Sequence, residues 1–451
     1  MALKRKIIDY ITAHYKNTGN ALLITGARQT GKTFSIREFG KQFKSFIEIN
    51  FVEQPDAVEL FKGGVQTSED ILLKLSLISK KPLIKGETLV FFDEVQKCPD
   101  IVTAIKFLVD EGSYRYILSG SLLGVELKDL RSEPVGYMGI KTMYPLDFEE
   151  FASCVGISSA IFDTLRTAWQ TKSAVDSFVH KKMMELFRLY LVVGGMPAAV
   201  NKYIETNNLQ EVMQLQHDII RLYMRDIAQY DTDNKLYIND IFNLIPPELN
   251  ARNKRFVLKR LNENAKFERF KNSFLWLTNA GVAIPVYNVE EPKMPLLLAR
   301  SRNLFKLFQN DIGLLAAQYA EGIQLRIIKN AKDINFGAIY ENAVAQELVA
   351  HDLTPYYYNN KRKGEVDFLI EIGGQVLPIE VKSGKDYEVH RALANIMDCR
   401  EYGLKEAIVF CNDNLHTAGN IVYAPIYMVM FLQKKQLGNF VYKVDLRGLN
   451  M

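Results

Sequence analysis

Cysteine is scarce in this 451-residue chain: Cys98, Cys154, Cys399 and Cys411 are the only four, and no two form a C-x-x-C pair. The six histidines do not gather near them. That spacing argues against a zinc framework and a disulfide scaffold, and it points to reduced thiols in a cytoplasmic protein. Long apolar runs are also missing. No stretch reaches the roughly 18 apolar residues of a membrane helix, and the start MALKRKIIDYITAHYK lacks an apolar signal core. The run YLVVGGMPAAV at 190–200 is apolar but short and glycine-rich. Nor is there an excess of one charge. Fifty-six Lys and Arg against 52 Asp and Glu give a net +4, which permits a nucleic-acid partner without arguing for one. There are no internal repeats and no low-complexity tract.

The length exceeds one ordinary core, so two or three domains are expected. ALLITGARQTGKTFSIREFG reads as strand, loop and helix. Ala21 to Thr25 suits a buried parallel strand, and a helix is expected from Lys32 to about Gln42. Between them Gly26, Ala27, Arg28, Gln29, Thr30, Gly31, Lys32 and Thr33 match G-x-x-x-x-G-K-[ST]. Glycines let the backbone curl so that successive N–H groups face phosphate oxygens, and the helix adds its positive end. Lys32 is expected to reach the β- and γ-phosphates of ATP, and the Thr33 hydroxyl to coordinate Mg2+. ETLVFFDEVQ then ends an apolar run in Asp93 and Glu94. An aspartate at a strand tip can hold the magnesium, and Glu94 can orient the attacking water. A further strand, YRYILSGSLLG, ends at Ser119 with Ser121 close behind, so Ser119 is the candidate to reach the γ-phosphate or its water.

Together GARQTGKT, LVFFDEVQKCPD, ILSGSLLG, MYPLDFEEF, YLVVGGMPAAV, NDIGLL and IYENAVAQEL resemble the bacterial AAA+-type ATPases that carry an uncharacterised C-terminal domain. The resemblance runs from about residue 20 to about residue 430. It implies ATP binding and hydrolysis by the N-terminal domain, and a C-terminal part with a winged helix followed by a restriction-endonuclease-like fold. Relatives often show a Gly-Arg pair before the PL-F-EF segment, a candidate sensor of the γ-phosphate. Gly136-Tyr137 stands there, and tyrosine cannot neutralise charge as guanidinium can. Arg131, Arg221 and Arg225 are the substitutes considered, and the sequence selects none of them.

Residues 151–230 read as mostly helical. From about 236 to 290 the pattern suggests a small winged helix, with helices over KLYINDIFNLIP and NKRFVLKRLNENAKFERFKNSFLWLTNAGV and a strand at AIPVYNV. Lys254, Arg255, Lys259, Arg260, Lys266, Arg269 and Lys271 form a dense basic run that could grip phosphates, although such runs are usually solvated helix faces. In GEVDFLIEIGGQVLPIEVKSGK, Gly373-Gly374 marks a hairpin between two strands. Asp367 lies on the first strand, Glu380 and Lys382 on the second, and GAIYENAVAQELVAH supplies a helix with Glu341 and Glu347. Helix carboxylate, strand aspartate and E-x-K form the constellation of metal-dependent restriction-type nucleases. A loose D…E-x-K match arises by accident about once in a chain this long. Glu341, Asp367, Glu380 and Lys382 are therefore either a second catalytic site or a charge network only.

The expected fold is α/β: a P-loop ATPase domain over 1–150 with an AAA+-type parallel sheet, a helical lid or connector over 151–232, a winged-helix-like domain over 233–300 and a restriction-endonuclease-like domain over 301–451. The leading functional expectation is a Mg-dependent ATPase that couples nucleotide state to a C-terminal module in contact with nucleic acid or protein, away from membranes and open to oligomerisation. Two alternatives stand beside it. One is a nucleotide-gated binding protein with little hydrolysis and an inactive nuclease-like domain. The other is an ATP-gated, metal-dependent nuclease.

Overall fold

A computed structural model describes residues 3–61, 67–121, 136–230, 235–251, 254–257, 260–261, 267–331, 334, 336–434 and 441–444. Five strands open the fold: β1 (Ala21–Thr25), β2 (Ser45–Asn50), β3 (Thr88–Asp93), β4 (Arg115–Ser119) and β5 (Met138–Thr142). They form one all-parallel sheet in the order β2-β3-β4-β1-β5. Alternate side chains feed two separate cores, as a period of two requires. Leu23, Val90, Phe92 and Leu118 pack with Ile101 and Ile105 of the helix Asp100–Glu111. Leu22, Ile24, Leu89, Phe91 and Ile117 pack with Ile7 and Ile11 of the helix Lys6–Asn17 and with Ile36 and Phe39 of the helix Lys32–Gly40. Helices on both faces explain why β3 is buried throughout and reads as a continuous apolar run. From β1 the chain moves out to β2, works back to β4, then crosses to β5. The crevice at the carboxyl end of β1 is thus a topological switch point, where open α/β sheets bind ligands.

Helices Phe148–Cys154, Ser159–Thr171, Ser177–Val193, Pro197–Thr206 and Leu209–Tyr230 follow, matching the helical expectation for 151–230. Their apolar faces share one core with the C-terminal half, running from Leu146 to Leu432 and joined by Leu3 and Ala27. No single helix among the described residues is long and apolar enough to cross a membrane.

After the helices Lys235–Leu249 and Phe267–Asn279 come β6 (Ala283–Val289), β7 (Arg300–Gln309), β8 (Tyr356–Asn360), β9 (Gly364–Ile372), β10 (Gln375–Val381), β11 (Ala407–Cys411), β12 (His416–Ala418) and β13 (Ile421–Pro425). They build one mixed sheet in the order β12-β13-β11-β10-β9-β8-β6-β7. The buried helix Phe336–Ala350 joins the large core, while Leu393 and Ile396 of the helix Arg391–Met397 belong to a separate cluster with Val366, Leu369 and Val409. β9 and β10 meet at Gly373 and Gly374, both with positive φ (60° and 75°), which a two-residue hairpin turn demands.

Three sequence expectations need correction. Lys254 to Val257 are not helical; the Phe256 amide instead bonds Phe305 O on β7 at 3.0 Å. The boundary at 300/301 falls inside β7, whose pairing with β6 makes one sheet of the two parts. The boundary at 150/151 falls inside the helix Phe148–Cys154, and that at 232/233 lies outside the described residues.

Candidate functional site

The loop after β1 curls because its glycines permit it. Gly26 has φ 134°, and a Cβ there would stand 2.2 Å from Met143 O. Gln29 (φ 66°) and Gly31 (φ 92°) complete the left-handed turns before the helix Lys32–Gly40. Lys32 Nζ donates to Gly26 O at 2.9 Å and Ala27 O at 2.8 Å, so the ammonium arches over its own loop. Burial lowers its pKa to about 8, against the pull of Glu94 and Asp93. Arg5 donates to Thr30 O at 2.8 Å and Tyr144 O at 2.8 Å, and it pairs with buried Glu150 at 3.1 Å.

The tips of β2, β3 and β4 meet the loop because their parallel register aligns Asn50 with Asp93 and brings Ser119 beside it. Asp93 accepts from Thr33 Oγ1 at 2.9 Å, from Ser119 Oγ, and from Asn50 Nδ2 at 3.4 Å. A hydroxyl and a carboxylate this close are the hard oxygen donors that magnesium takes. Glu94 follows with φ 55°, a left-handed conformation unusual for glutamate. Its carboxylate accepts from Gln96 Nε2 and, at 3.4 Å, from Ser121 Oγ.

Arg28, Gln29, Gly31, Lys32, Thr33, Asp93, Glu94 and Ser121 line one cavity of about 660 Å³. Pro197, Ala198 and Asn201 of the helix Pro197–Thr206 and Leu222 of the helix Leu209–Tyr230 form part of its wall. Gly26, Ala27 and Thr30 do not line it, and Ala27 and Thr30 are buried. Ser119, expected to reach a phosphate, is fully buried on Asp93 instead; Ser121 and Ser35 line the cavity and Ser119 does not.

Tyr137 also needs correction as a sensor position. Its carbonyl accepts from Ala21 N at 2.9 Å, at the start of β1, whereas the phosphate loop follows the end of that strand. Five residues of strand, about 16 Å, separate the two edges. Arginine at that position would not reach the loop of its own chain. Arg131 lies outside the described residues. Arg221 is exposed and pairs with Asp218 at 3.0 Å, and Arg225 is exposed. Arg5, Arg28 and Arg37 line the cavity; Arg5 pairs with Glu150 and Arg37 with Glu48, while Arg28 Nη1 lies 2.5 Å from Asp226.

The second constellation assembles as a chain of charges. Lys382 pairs with Glu380 at 3.2 Å, Glu380 hydrogen-bonds Asp367, and Asp367 accepts from Val381 N at 2.9 Å. Glu341 is buried on the helix Phe336–Ala350 and pairs with Lys254. Between Glu341 and Asp367 stands Lys306, fully buried, 3.6 Å from the first, 3.9 Å from the second and 2.7 Å from Glu365. Burial disfavours its charge, but Glu341, Glu365 and Asp367 outweigh that and hold its pKa above normal. Burial pushes Glu341 and Glu380 up, each helped by Asp367. Against its own burial, Asp367 is held down by Lys306 and Lys254. Among the described residues no three His, Cys, Asp or Glu side chains gather in a way that would hold a metal ion. Lys306, Lys254 and Glu365 were missed as members of this cluster. The signal was present: Lys306 is the one charge in LFKLF, and Glu365 shares the period of Asp367. Glu347, expected on the same helix, points elsewhere and accepts from Phe148 N at 2.7 Å. Part of the basic run is already engaged. Lys254 serves Glu341, and Arg260 serves buried Glu248 at 3.2 Å. Lys259 and Lys266 lie outside the described residues.

A family model described as an AAA domain matches residues 18–152. Two more, Domain of unknown function (DUF8612) and Domain of unknown function (DUF4143), match 184–325 and 336–428. Comparison with curated proteins finds no match. Among solved structures, a Walker-type ATPase of Pyrococcus abyssi is similar over 70% of this chain and 96% of its own, with 14% identity and a TM-score of 0.42. The Aeropyrum pernix ORC1 protein in complex with DNA is similar over 72% and 95%, with 14% identity and a TM-score of 0.28. Cdc6p from Pyrobaculum aerophilum is similar over 73% and 95%, with 12% identity and a TM-score of 0.24. Likenesses this loose add nothing to the reading of the site. The curled loop, the acidic strand tip beside it and the matched span 18–152 agree: the N-terminal part of the chain is a P-loop domain of the AAA type.

Proposed function

We propose that the chain is a cytoplasmic, Mg-dependent ATPase that passes its nucleotide state to its C-terminal half. The observation that carries this reading is the convergence of Lys32, Thr33, Asp93 and Glu94 on one cavity, whose wall includes helices outside the sheet domain. Lys32 and the loop amides hold the phosphates of ATP, and Thr33 and Asp93 hold the magnesium. When bound, the metal neutralises phosphate charge. Glu94, steadied by Gln96 and Ser121, orients the attacking water.

Transmission has a physical route. Tyr190 donates to Leu146 O at 2.8 Å and to Glu347 at 3.3 Å, and His351 lies 3.3 Å from Asp147. These contacts tie the end of the sheet domain, the helix Ser177–Val193 and the helix Phe336–Ala350 together. In this reading the parts are the ATPase domain (to about residue 147), the helical connector (from the helix Phe148–Cys154 to 232), a winged-helix-like part (233–300, extended to include β7) and a restriction-endonuclease-like part. The last is a non-cleaving binding module. Lys306 among Glu341, Glu365 and Asp367 supports that, because an ammonium already neutralises the carboxylates a metal would need.

ATP turnover by the full chain, with and without single- and double-stranded nucleic acid, tests both halves. Glu94→Gln is expected to keep ATP binding and lose about 10²- to 10⁴-fold in turnover. Stimulation by nucleic acid would assign that partner class; indifference favours a protein partner. Cleavage of DNA or RNA that Asp367→Ala abolishes would overturn the non-cleaving reading.

A further inference from the structure

We infer that Arg28 is the cation that meets the terminal phosphate of a nucleoside triphosphate, and that Asp226 is the anion it leaves to do so. The inference rests on the proposed nucleotide site and adds a sensing pair to it. Arg28 is the third residue of the phosphate loop, and its side chain lines the same cavity as Lys32, Thr33 and Glu94. Its Nε lies 3.4 Å from Ser121 Oγ, which is itself 3.4 Å from the Glu94 carboxylate. The guanidinium therefore stands at the Glu94 corner, where a terminal phosphate and its attacking water belong.

In this structure that guanidinium is held by Asp226, at 2.5 Å, from the helix Leu209–Tyr230. The same helix donates Tyr223 Oη to Arg28 O at 3.0 Å and gives Leu222 to the cavity wall. Asp226 is buried, whereas Arg28 remains partly exposed toward the cavity. Burial and the Glu94 charge push the Asp226 pKa up, and Arg28 opposes them. A terminal phosphate offers more charge and more acceptor oxygens than a carboxylate, and it suits the guanidinium fork. Once Arg28 turns to it, Asp226 is a buried carboxylate without its closest cation, which is unfavourable. The helix, having lost that tie, must then loosen or shift. A diphosphate leaves the Glu94 corner unfilled and does not trigger the exchange. Beyond Asp226 the helix is wired onward: Gln216 Nε2 donates to Val192 O and Val193 O, both at 2.9 Å, next to the Gly194-Gly195 corner.

The test uses the full chain, fluorescent ATP and ADP analogues, and backbone hydrogen exchange across Leu209–Tyr230, with Lys32→Ala as control. Arg28→Ala is expected to weaken ATP about tenfold to a hundredfold while changing ADP little. Arg28→Lys is expected to recover only part of this, since an ammonium lacks the fork. Asp226→Asn is expected to tighten ATP and to speed exchange of the helix whether or not nucleotide is present. In the native chain ATP, but not ADP, is expected to speed that exchange. Equal loss of ATP and ADP affinity in Arg28→Ala, or identical exchange with both nucleotides, overturns the sensing pair while leaving the nucleotide site standing. If the native chain binds neither nucleotide, the site itself fails and takes the pair with it.

Discussion

A lysine whose ammonium is buried under a loop of carbonyls is poised between two charge states. With the Lys32 pKa lowered to about 8, the side chain is charged at neutral pH and loses its proton above that point. ATP should bind the charged form, so its affinity is expected to be level below pH 7 and to fall by about tenfold per pH unit above pH 8. Binding at pH 9 should then take up a proton, which calorimetry in buffers of different ionisation enthalpy detects; flat affinity up to pH 9.5 would contradict it. At this scale much was legible. The curled loop and the acidic strand tip beside it follow from the motif spacing, whereas which loop residues face the cavity does not: Gly26, Ala27 and Thr30 do not line it. Ser119 against Ser121 was not legible, because which hydroxyl faces the cavity depends on how the chain bends after β4. Nor was the pairing of Arg28 with Asp226, which are 198 residues apart.

Among elements, strands and amphipathic helices followed their periods, and Gly373-Gly374 turned as a hairpin should. Residues Lys254–Val257 did not follow theirs. Phe256 stacks on Phe305 and bonds its backbone, and tertiary pairing overrides a helical pattern. The corner Gly194-Gly195 ends the helix Ser177–Val193, and packing sets it as much as conformation does. A Cβ on Gly195 would lie 2.0 Å from Leu146 O, and one on Gly194 2.7 Å from Gly313 N. Gly195→Ala is therefore expected to cost about 1–3 kcal/mol. Since Pro197 and Ala198 follow directly, ATP affinity should fall with it. Gly384→Ala, where a Cβ meets nothing within 4 Å, is the control, and denaturation midpoints for both variants check the difference. Equal midpoints would show that the corner yields without strain.

For the whole molecule, the succession of P-loop sheet, helical region and C-terminal mixed sheet was readable from local motifs and periods. The way the parts merge was not. β6 and β7 join the strands of the C-terminal half in one sheet, and a single core runs through the helical region into it. Lys306 reaches Glu341 from β7 through that sheet, a contact no local period announces. Lys306→Ala leaves three carboxylates without it and is expected to destabilise the chain by about 3–5 kcal/mol. Adding Glu341→Gln should recover part of the loss. Chemical denaturation measures both, and a neutral Lys306→Ala would mean that the carboxylates are satisfied by something other than this ammonium. At the other end, the phosphate loop, Asp93 and the helical wall form one chamber, and the function rests on it. The most direct measurement is phosphate release from ATP and magnesium by the full chain beside Lys32→Ala. The expected result is release by the native chain and none above background by the variant; equal release by the two would contradict it.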